Sequence, residues 1–158
     1  MTIKVGDALP NVTLRTMAEG GLAAVETGAV FAGKKAVLFG VPGAFTPTCS
    51  NNHLPGYLEN ATAIRARGVD LIAVVSVNDV HVMAAWAAAN HNEGRVLFLA
   101  DGSGDLARAT GLGVDIPGMG YRYKRFSMLL DNGVVQSLHV ETERGVNVSG
   151  AARMLELL

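Results

Sequence analysis

The chain is predicted to fold as an α/β domain with a central mixed β-sheet flanked by helices. Three observations carry this. Residues 36–41 and 69–77 are apolar runs of strand length, the segments that follow them have helical periodicity, and Asn132-Gly133 separates two further apolar stretches. A chain of 158 residues fits one compact domain, with a core large enough to dispense with disulfides or a structural metal.

Residues 1–35 form a lead-in, in which Asn11-Val12-Thr13-Leu14-Arg15 alternates like a strand and Gly20-Gly21 turns the chain before residues 22–25. Ala36-Val37-Leu38-Phe39-Gly40-Val41 then reads as a central strand covered on both faces, ended by Pro42-Gly43. Thr46 is placed to cap the next helix and Pro47 to occupy its first position, which puts Cys49 in the first turn. Leu54, Tyr57, Leu58, Ala61 and Ile64 supply the apolar stripe of that helix. Pro55 has no amide hydrogen for the carbonyl of Asn51, and this predicts a kink.

Residues 69–77 make a second buried strand, Asn78-Asp79 a cap, and residues 80–89 a helix that ends before Gly94. Residues 95–99 form a short strand, after which Ser103 is placed to cap a short helix closed by Gly111. Strands at 126–130 and 134–140 pair as a hairpin across Asp131-Asn132-Gly133. Ala151, Met154, Leu155 and Leu158 then fall at i, i+3, i+4 and i+7, so the chain ends in a docked helix. The order β-α-β-α-β-α-β-β-α has no internal repeat.

Composition excludes several functions. Thirteen basic residues balance fourteen acidic ones with no basic block, which argues against nucleic acid as a partner. No apolar run approaches membrane-spanning length and the N-terminus lacks a secretory pattern, so a cytoplasmic location away from membranes is the expectation. Four histidines, at 53, 81, 91 and 139, show no metal-ligand spacing, and no Gly-rich nucleotide cradle follows a strand. No cofactor or metal is therefore expected. His53, one helical turn after Cys49, is read as a packing or solvent residue that can also tune the cysteine through the i, i+4 relation. The alanine-rich stretch around Trp86 reads as a closely packed helix.

Cys49 is the only cysteine. A lone thiol is often just a small buried apolar residue. Here it stands where a central strand turns into a helix, at the end of the sheet where α/β proteins bind ligands and where free amides favour a thiolate. Ionisation alone falls short of catalysis. A thiol of pKa near 8.5 is already about 3% ionised at pH 7, so full ionisation raises the reactive fraction only about thirtyfold, whereas enzymes reach roughly a millionfold or more. Charge-stabilising donors must surround the sulfur.

The run Pro42-x-x-x-Thr46-x-x-Cys49 resembles the active-site signature of the peroxiredoxins, thiol peroxidases with a thioredoxin-like fold. Gly40-Val41-Pro42-Gly43-Ala44-Phe45-Thr46-Pro47-Thr48-Cys49-Ser50 with His53-Leu54-Pro55-Gly56 is similar to the peroxiredoxin 5 and plant type II subfamily. The likeness continues through Ser76-Val77-Asn78-Asp79, Phe98-Leu99-Ala100-Asp101-Gly102 and Lys124-Arg125-Phe126-Ser127-Met128. It implies that Cys49 is the peroxidatic cysteine, that Thr46 orients peroxide and thiolate, that Pro42 shields the pocket, and that Arg125 supports the thiolate and polarises the peroxide. Alternation puts Arg125 on one side with Ser127 and Leu129, and Lys124 on the other with Phe126 and Met128; it does not say which side meets Cys49.

Relatives in this subfamily carry a second, resolving cysteine near the positions of Val74 or Val148, and both are valine here. The resemblance thus implies a one-cysteine enzyme that reduces hydrogen peroxide and alkyl hydroperoxides, is recycled by glutathione with glutaredoxin or by thioredoxin, and forms a homodimer. Two alternatives stay open: a peroxide-sensing redox switch that signals through Cys49 oxidation, and a catalytically dead binding module. The combination of Pro42, Thr46, Cys49 and Arg125 argues against the dead module, because folding alone does not require those four residue types together.

Overall fold

Residues 36–41 are buried throughout, because their strand has a core on each face. Val37, Phe39 and Val41 point into one core, Ala36 and Leu38 into the other. This strand is β3 (Lys35–Gly40) in a computed structural model that describes residues 2–158. It runs parallel to β4 (Leu71–Ser76), which in turn runs parallel to β5 (Leu97–Ala100). The helices α2 (Leu54–Ala66), α3 (Val80–Ala89) and α4 (Asp105–Thr110) follow these three strands in turn.

The lead-in is an antiparallel hairpin of β1 (Thr13–Ala18) and β2 (Gly21–Glu26), followed by the short helix α1 (Thr27–Phe31). A second hairpin, β6 (Gly113–Ile116) and β7 (Gly120–Tyr123), forms a small separate sheet. The chain closes with β8 (Phe126–Asp131), β9 (Val134–Val140) and α5 (Ala151–Leu157). The main sheet has seven strands in the order β2-β1-β5-β4-β3-β8-β9. Residues from α2, α3 and α5 share one core with β3, β4 and β5, while Phe31 of α1 and Leu106 and Ala107 of α4 belong to the opposite one.

Several sequence expectations need correction. The element order starts at β3 and so leaves out the lead-in hairpin β1–β2, and it misses α1 and the β6–β7 hairpin, the last two too short to display a period. Ser103 does not cap α4; the carboxylate of Asp101 accepts from the amides of Leu106 at 3.3 Å and Ala107 at 3.0 Å. The disturbance expected at Pro55 takes the form of a π turn over Cys49–His53, immediately upstream, in which the Leu54 amide donates to the carbonyl of Cys49. One added residue in the turn accommodates a helix in which proline cannot supply the regular bond. Asn132 and Gly133 adopt φ of 51° and 76°, the left-handed pair a tight hairpin needs.

One register positions the site. Strand β8 pairs antiparallel with β3, so that Phe126, at its start, lies opposite Gly40, at the end of β3. The residues entering β8 are thereby brought beside those leaving β3. Gly40 is required for this closeness, since a Cβ there would lie 2.0 Å from the Phe126 ring.

Candidate active site

Cys49 is fully buried and sits at the head of the helix that follows β3. The chain is helical from Pro47, and the first backbone bond back along it runs from the Ser50 amide to the Thr46 carbonyl at 2.9 Å. The amides of Thr48 and Cys49 therefore have no acceptor within the helix and point toward its N-terminal end. On the other side, the indole of Trp86 donates to the Ser50 hydroxyl at 3.0 Å and ties this turn to α3.

The loop before the helix is held from two directions. The Ala44 amide donates to the Asn78 side-chain oxygen at 3.0 Å, and the Ser76 hydroxyl donates to the same oxygen at 2.6 Å. Asp79 alone caps α3, accepting from His81 and Val82, which leaves Asn78 free for the loop. Phe45 has a φ of 64°, uncommon for a bulky side chain, and the residue is 53% exposed. Backbone strain of this kind persists only where the surroundings enforce it.

Thr46 occupies the capping position, yet its hydroxyl is turned away from the helix and donates to the Gly43 carbonyl at 2.6 Å. With its hydrogen used there, Thr46 Oγ1 offers lone pairs only, toward whatever enters beside it. Pro42 is half-buried in the same loop, between the end of β3 and Gly43.

Arg125 enters from the start of β8. Its Nη2 donates to Cys49 Sγ at 3.1 Å. The face of β8 that meets Cys49 is thus the one shared by Arg125, Ser127 and Leu129, and Leu129 belongs to the same core as Cys49. A guanidinium at hydrogen-bond distance from the sulfur offers further N–H groups to stabilise charge on a second, anionic atom.

His53 goes beyond the sequence reading, which allowed it a packing or a solvent role. It is buried rather than solvent-facing, and it joins a polar network. Arg125 Nη1 lies 3.0 Å from its Nδ1, and its Nε2 lies 2.9 Å from the Ser149 carbonyl, which also accepts from the Tyr57 hydroxyl at 2.8 Å. The ring packs against Phe39 and Tyr57, whose own rings stack at 4.0 Å. Burial, with the nearby Arg125 charge adding to it, pushes the His53 pKa down to about 3 against the opposing pull of Ser149 and Glu141, so the ring is neutral. Burial likewise pushes the Tyr57 hydroxyl well up, keeping it a donor.

Behind His53, the carboxylate of Glu141 gathers the turn that leads into α5. Its Oε2 accepts from the amides of Asn147, Val148 and Ser149 and from the Ser149 hydroxyl, at 2.6–2.9 Å. Burial pushes the Glu141 carboxyl up, but these hydrogen bonds, those of Ser149 foremost, outweigh it and hold the group below the usual range. The backbone adds a tie, with the Glu141 amide donating to the Arg125 carbonyl at 2.9 Å. No spacing rule connects residues 125, 141 and 149 to position 53. The i, i+4 step from Cys49 was the only available signal, and it pointed to His53 without revealing Arg125 between them.

Sheet order and site together define a thioredoxin-fold protein whose one buried thiol is faced by an arginine. The Redoxin family profile matches residues 4–155. Peroxiredoxin-2E-2, chloroplastic, of Oryza sativa subsp. japonica is 47% identical over 99% of this chain and 73% of its own length. Peroxiredoxin-2C of the same plant is 46% identical, over 99% of this chain and 98% of its own length. Among solved structures, reduced Prx3 from Vibrio vulnificus in complex with H2O2 superposes with a TM-score of 0.96 at 47% identity, covering 99% of each chain.

The chain belongs to the Redoxin family, as a one-cysteine peroxiredoxin of the peroxiredoxin 5 and plant type II subfamily. Its activity is that of a thiol-dependent peroxidase.

Proposed function

We propose that this protein reduces hydrogen peroxide and small alkyl hydroperoxides at Cys49 and is recycled by an external thiol, with glutathione and glutaredoxin ahead of thioredoxin. The observation that carries the reading is the 3.1 Å contact between Arg125 Nη2 and the buried Sγ of the only cysteine. The related Vibrio protein is complexed with hydrogen peroxide, which supports the substrate class.

In the first step the Cys49 thiolate attacks the nearer peroxide oxygen. The S–O bond forms as the O–O bond breaks, and the electron pair leaves with the far oxygen as alkoxide or hydroxide, which is then protonated. Arg125 and the free amides at the helix start stabilise the departing charge, while Thr46 Oγ1 accepts a hydrogen bond from the peroxide O–H and orients it. Pro42 keeps water off this face. The complete burial of Cys49 favours small substrates.

The product is a sulfenic acid. With no second cysteine in the chain, an outside thiol must condense with it, releasing water and leaving a mixed disulfide. A second thiol then attacks that disulfide, frees Cys49 and carries away the oxidised pair. A reducing cytosol would supply such thiols. A homodimer is part of the proposal, and sedimentation velocity at micromolar concentration tests it: a monomer alone would remove it.

The deciding assay couples NADPH oxidation to hydrogen peroxide or tert-butyl hydroperoxide, with glutathione plus glutaredoxin in one arm and thioredoxin in the other. Wild type should turn over and Cys49→Ser should not. Activity retained in Cys49→Ser overturns the role of the thiol, and turnover with thioredoxin alone reverses the order of reductants. Oxidation of Cys49 without recycling in either arm would favour a sensor over an enzyme.

A further inference from the structure

The His53 ring lies between an acceptor that cannot donate and a donor that cannot accept. The Ser149 carbonyl at Nε2 requires a hydrogen on that nitrogen, and the guanidinium at Nδ1 requires a lone pair there. Both partners therefore impose the same neutral tautomer. Burial and the Phe39 and Tyr57 rings fix the plane of the imidazole, and Glu141 fixes Ser149 behind it.

Arg125 has only two side-chain hydrogen-bond partners among the described residues, His53 and Cys49, and no carboxylate within ion-pair distance. This combination is unusual for a partly buried guanidinium and has a chemical consequence. A carboxylate at the position of Nδ1 would also orient the arginine, but it would compete with the thiolate and the leaving oxygen for its charge. A neutral imidazole nitrogen holds one arm of the fork and leaves the full positive charge directed at the sulfur. The Glu141 carboxylate makes no hydrogen bond to Arg125 or His53 and is linked to them through Ser149.

We infer that His53 is a positioning residue for the peroxide step: as a neutral acceptor at Arg125 Nη1, it holds Nη2 of the same guanidinium on Cys49 Sγ. The inference rests on the peroxidase reading of Cys49. It adds a requirement that reading lacks, namely that the active-site arginine is held by the Ser149–Glu141 turn through a histidine that must not be protonated.

The test exploits the two nitrogens separately. In His53→Gln, the terminal amide reaches the Nε2 position and keeps Ser149 but leaves Arg125 without its acceptor. In His53→Asn, the side-chain oxygen falls near the Nδ1 position and keeps Arg125 but gives up Ser149. Stopped-flow rate constants for Cys49 oxidation by hydrogen peroxide should fall about tenfold or more in His53→Gln, with His53→Asn closer to wild type. In an Arg125→Ala background the His53→Gln change should cost less than about twofold, because the residue it acts through is gone. Equal rates for His53→Gln and wild type, or an undiminished loss in the Arg125→Ala background, overturn the inference. A wild type that fails to react with peroxide overturns the peroxidase reading instead.

A measurement on the wild type does not depend on how the variants fold. Nitrogen-15 NMR of His53 should show a protonated Nε2, a bare Nδ1 and no titration from about pH 8 to 5, where an ordinary histidine changes charge. A protonated Nδ1, or titration within that range, also overturns the inference.

Discussion

Arg125 Nη2 lies 3.1 Å from Cys49 Sγ across 76 residues of chain, and the antiparallel pairing of Phe126 with Gly40 brings the two together. The contact is geometric as well as electrostatic, because the same guanidinium reaches His53 with its other terminal nitrogen. Arg125→Ala is expected to lower the peroxide rate constant by about 10²–10³, as when one preorganised donor to a developing charge is removed. Arg125→Lys should recover little of that loss, since an ammonium does not reproduce the planar fork. Stopped-flow oxidation measures both, and a rate within twofold of wild type for Arg125→Ala would remove the residue from the site.

Thr46 presents a test of hydroxyl against shape. Thr46→Ser keeps the hydrogen bond to the Gly43 carbonyl and should keep most of the peroxide rate, whereas Thr46→Val keeps the shape and loses the oxygen. The valine variant is expected to be slower by at least about tenfold, with a stability loss near 1 kcal/mol for the missing hydrogen bond. A valine variant as fast as the serine one would leave Thr46 a structural role only.

Stability should decline as the medium is acidified, and the sign follows from His53. Its folded pKa of about 3 lies below the unfolded value near 6.5, so between these values the unfolded chain binds a proton that the folded one refuses. The contribution is intact above pH 6.5 and is lost as pH falls toward 3. Glu141, also held below its usual range, adds to the loss at the acid end of that window. Unfolding free energies from urea titrations between pH 7.5 and 4.5 should fall by no more than about 1.4 kcal/mol per pH unit for His53 alone. His53→Phe should flatten the upper part of the slope, and parallel slopes for the two proteins would show that His53 is not the group responsible.

The buried hydrogen bond from the Tyr123 hydroxyl to Asp101, at 2.6 Å, fastens β7 to the loop before α4. Asp101 also caps α4, so the two substitutions separate: Tyr123→Phe should cost about 1–2 kcal/mol, and Asp101→Ala about 2–4 kcal/mol, because the latter also leaves a buried hydroxyl and two amides without a partner. Denaturant unfolding checks the order. A larger loss for Tyr123→Phe would mean that the hydroxyl matters more than the cap.

Much of this was legible along the chain wherever a period or a turn residue carried it. The run 36–41, the stripe from Leu54 to Ile64, the α3 boundaries and the Asn132-Gly133 hairpin all appear in the structure. The β6–β7 hairpin did not register, because four-residue strands give too few alternations. The sequence offers the adjacent Ser103 as the cap of α4, although a carboxylate further back, at Asp101, serves it.

By itself the sequence determined that a lone cysteine stands at the head of a helix behind a buried strand, with the threonine, proline and arginine of a peroxiredoxin in order around it. Tertiary structure alone decided that Arg125 meets the sulfur from the Ser127 and Leu129 face, and that His53 holds its other arm with Ser149 and Glu141 behind. The physical reason is range. Local periodicity specifies which side chains share a face, but strand register and the packing of a distant turn specify what that face touches, and the 49, 53, 125, 141 and 149 positions converge only once β3 and β8 have paired.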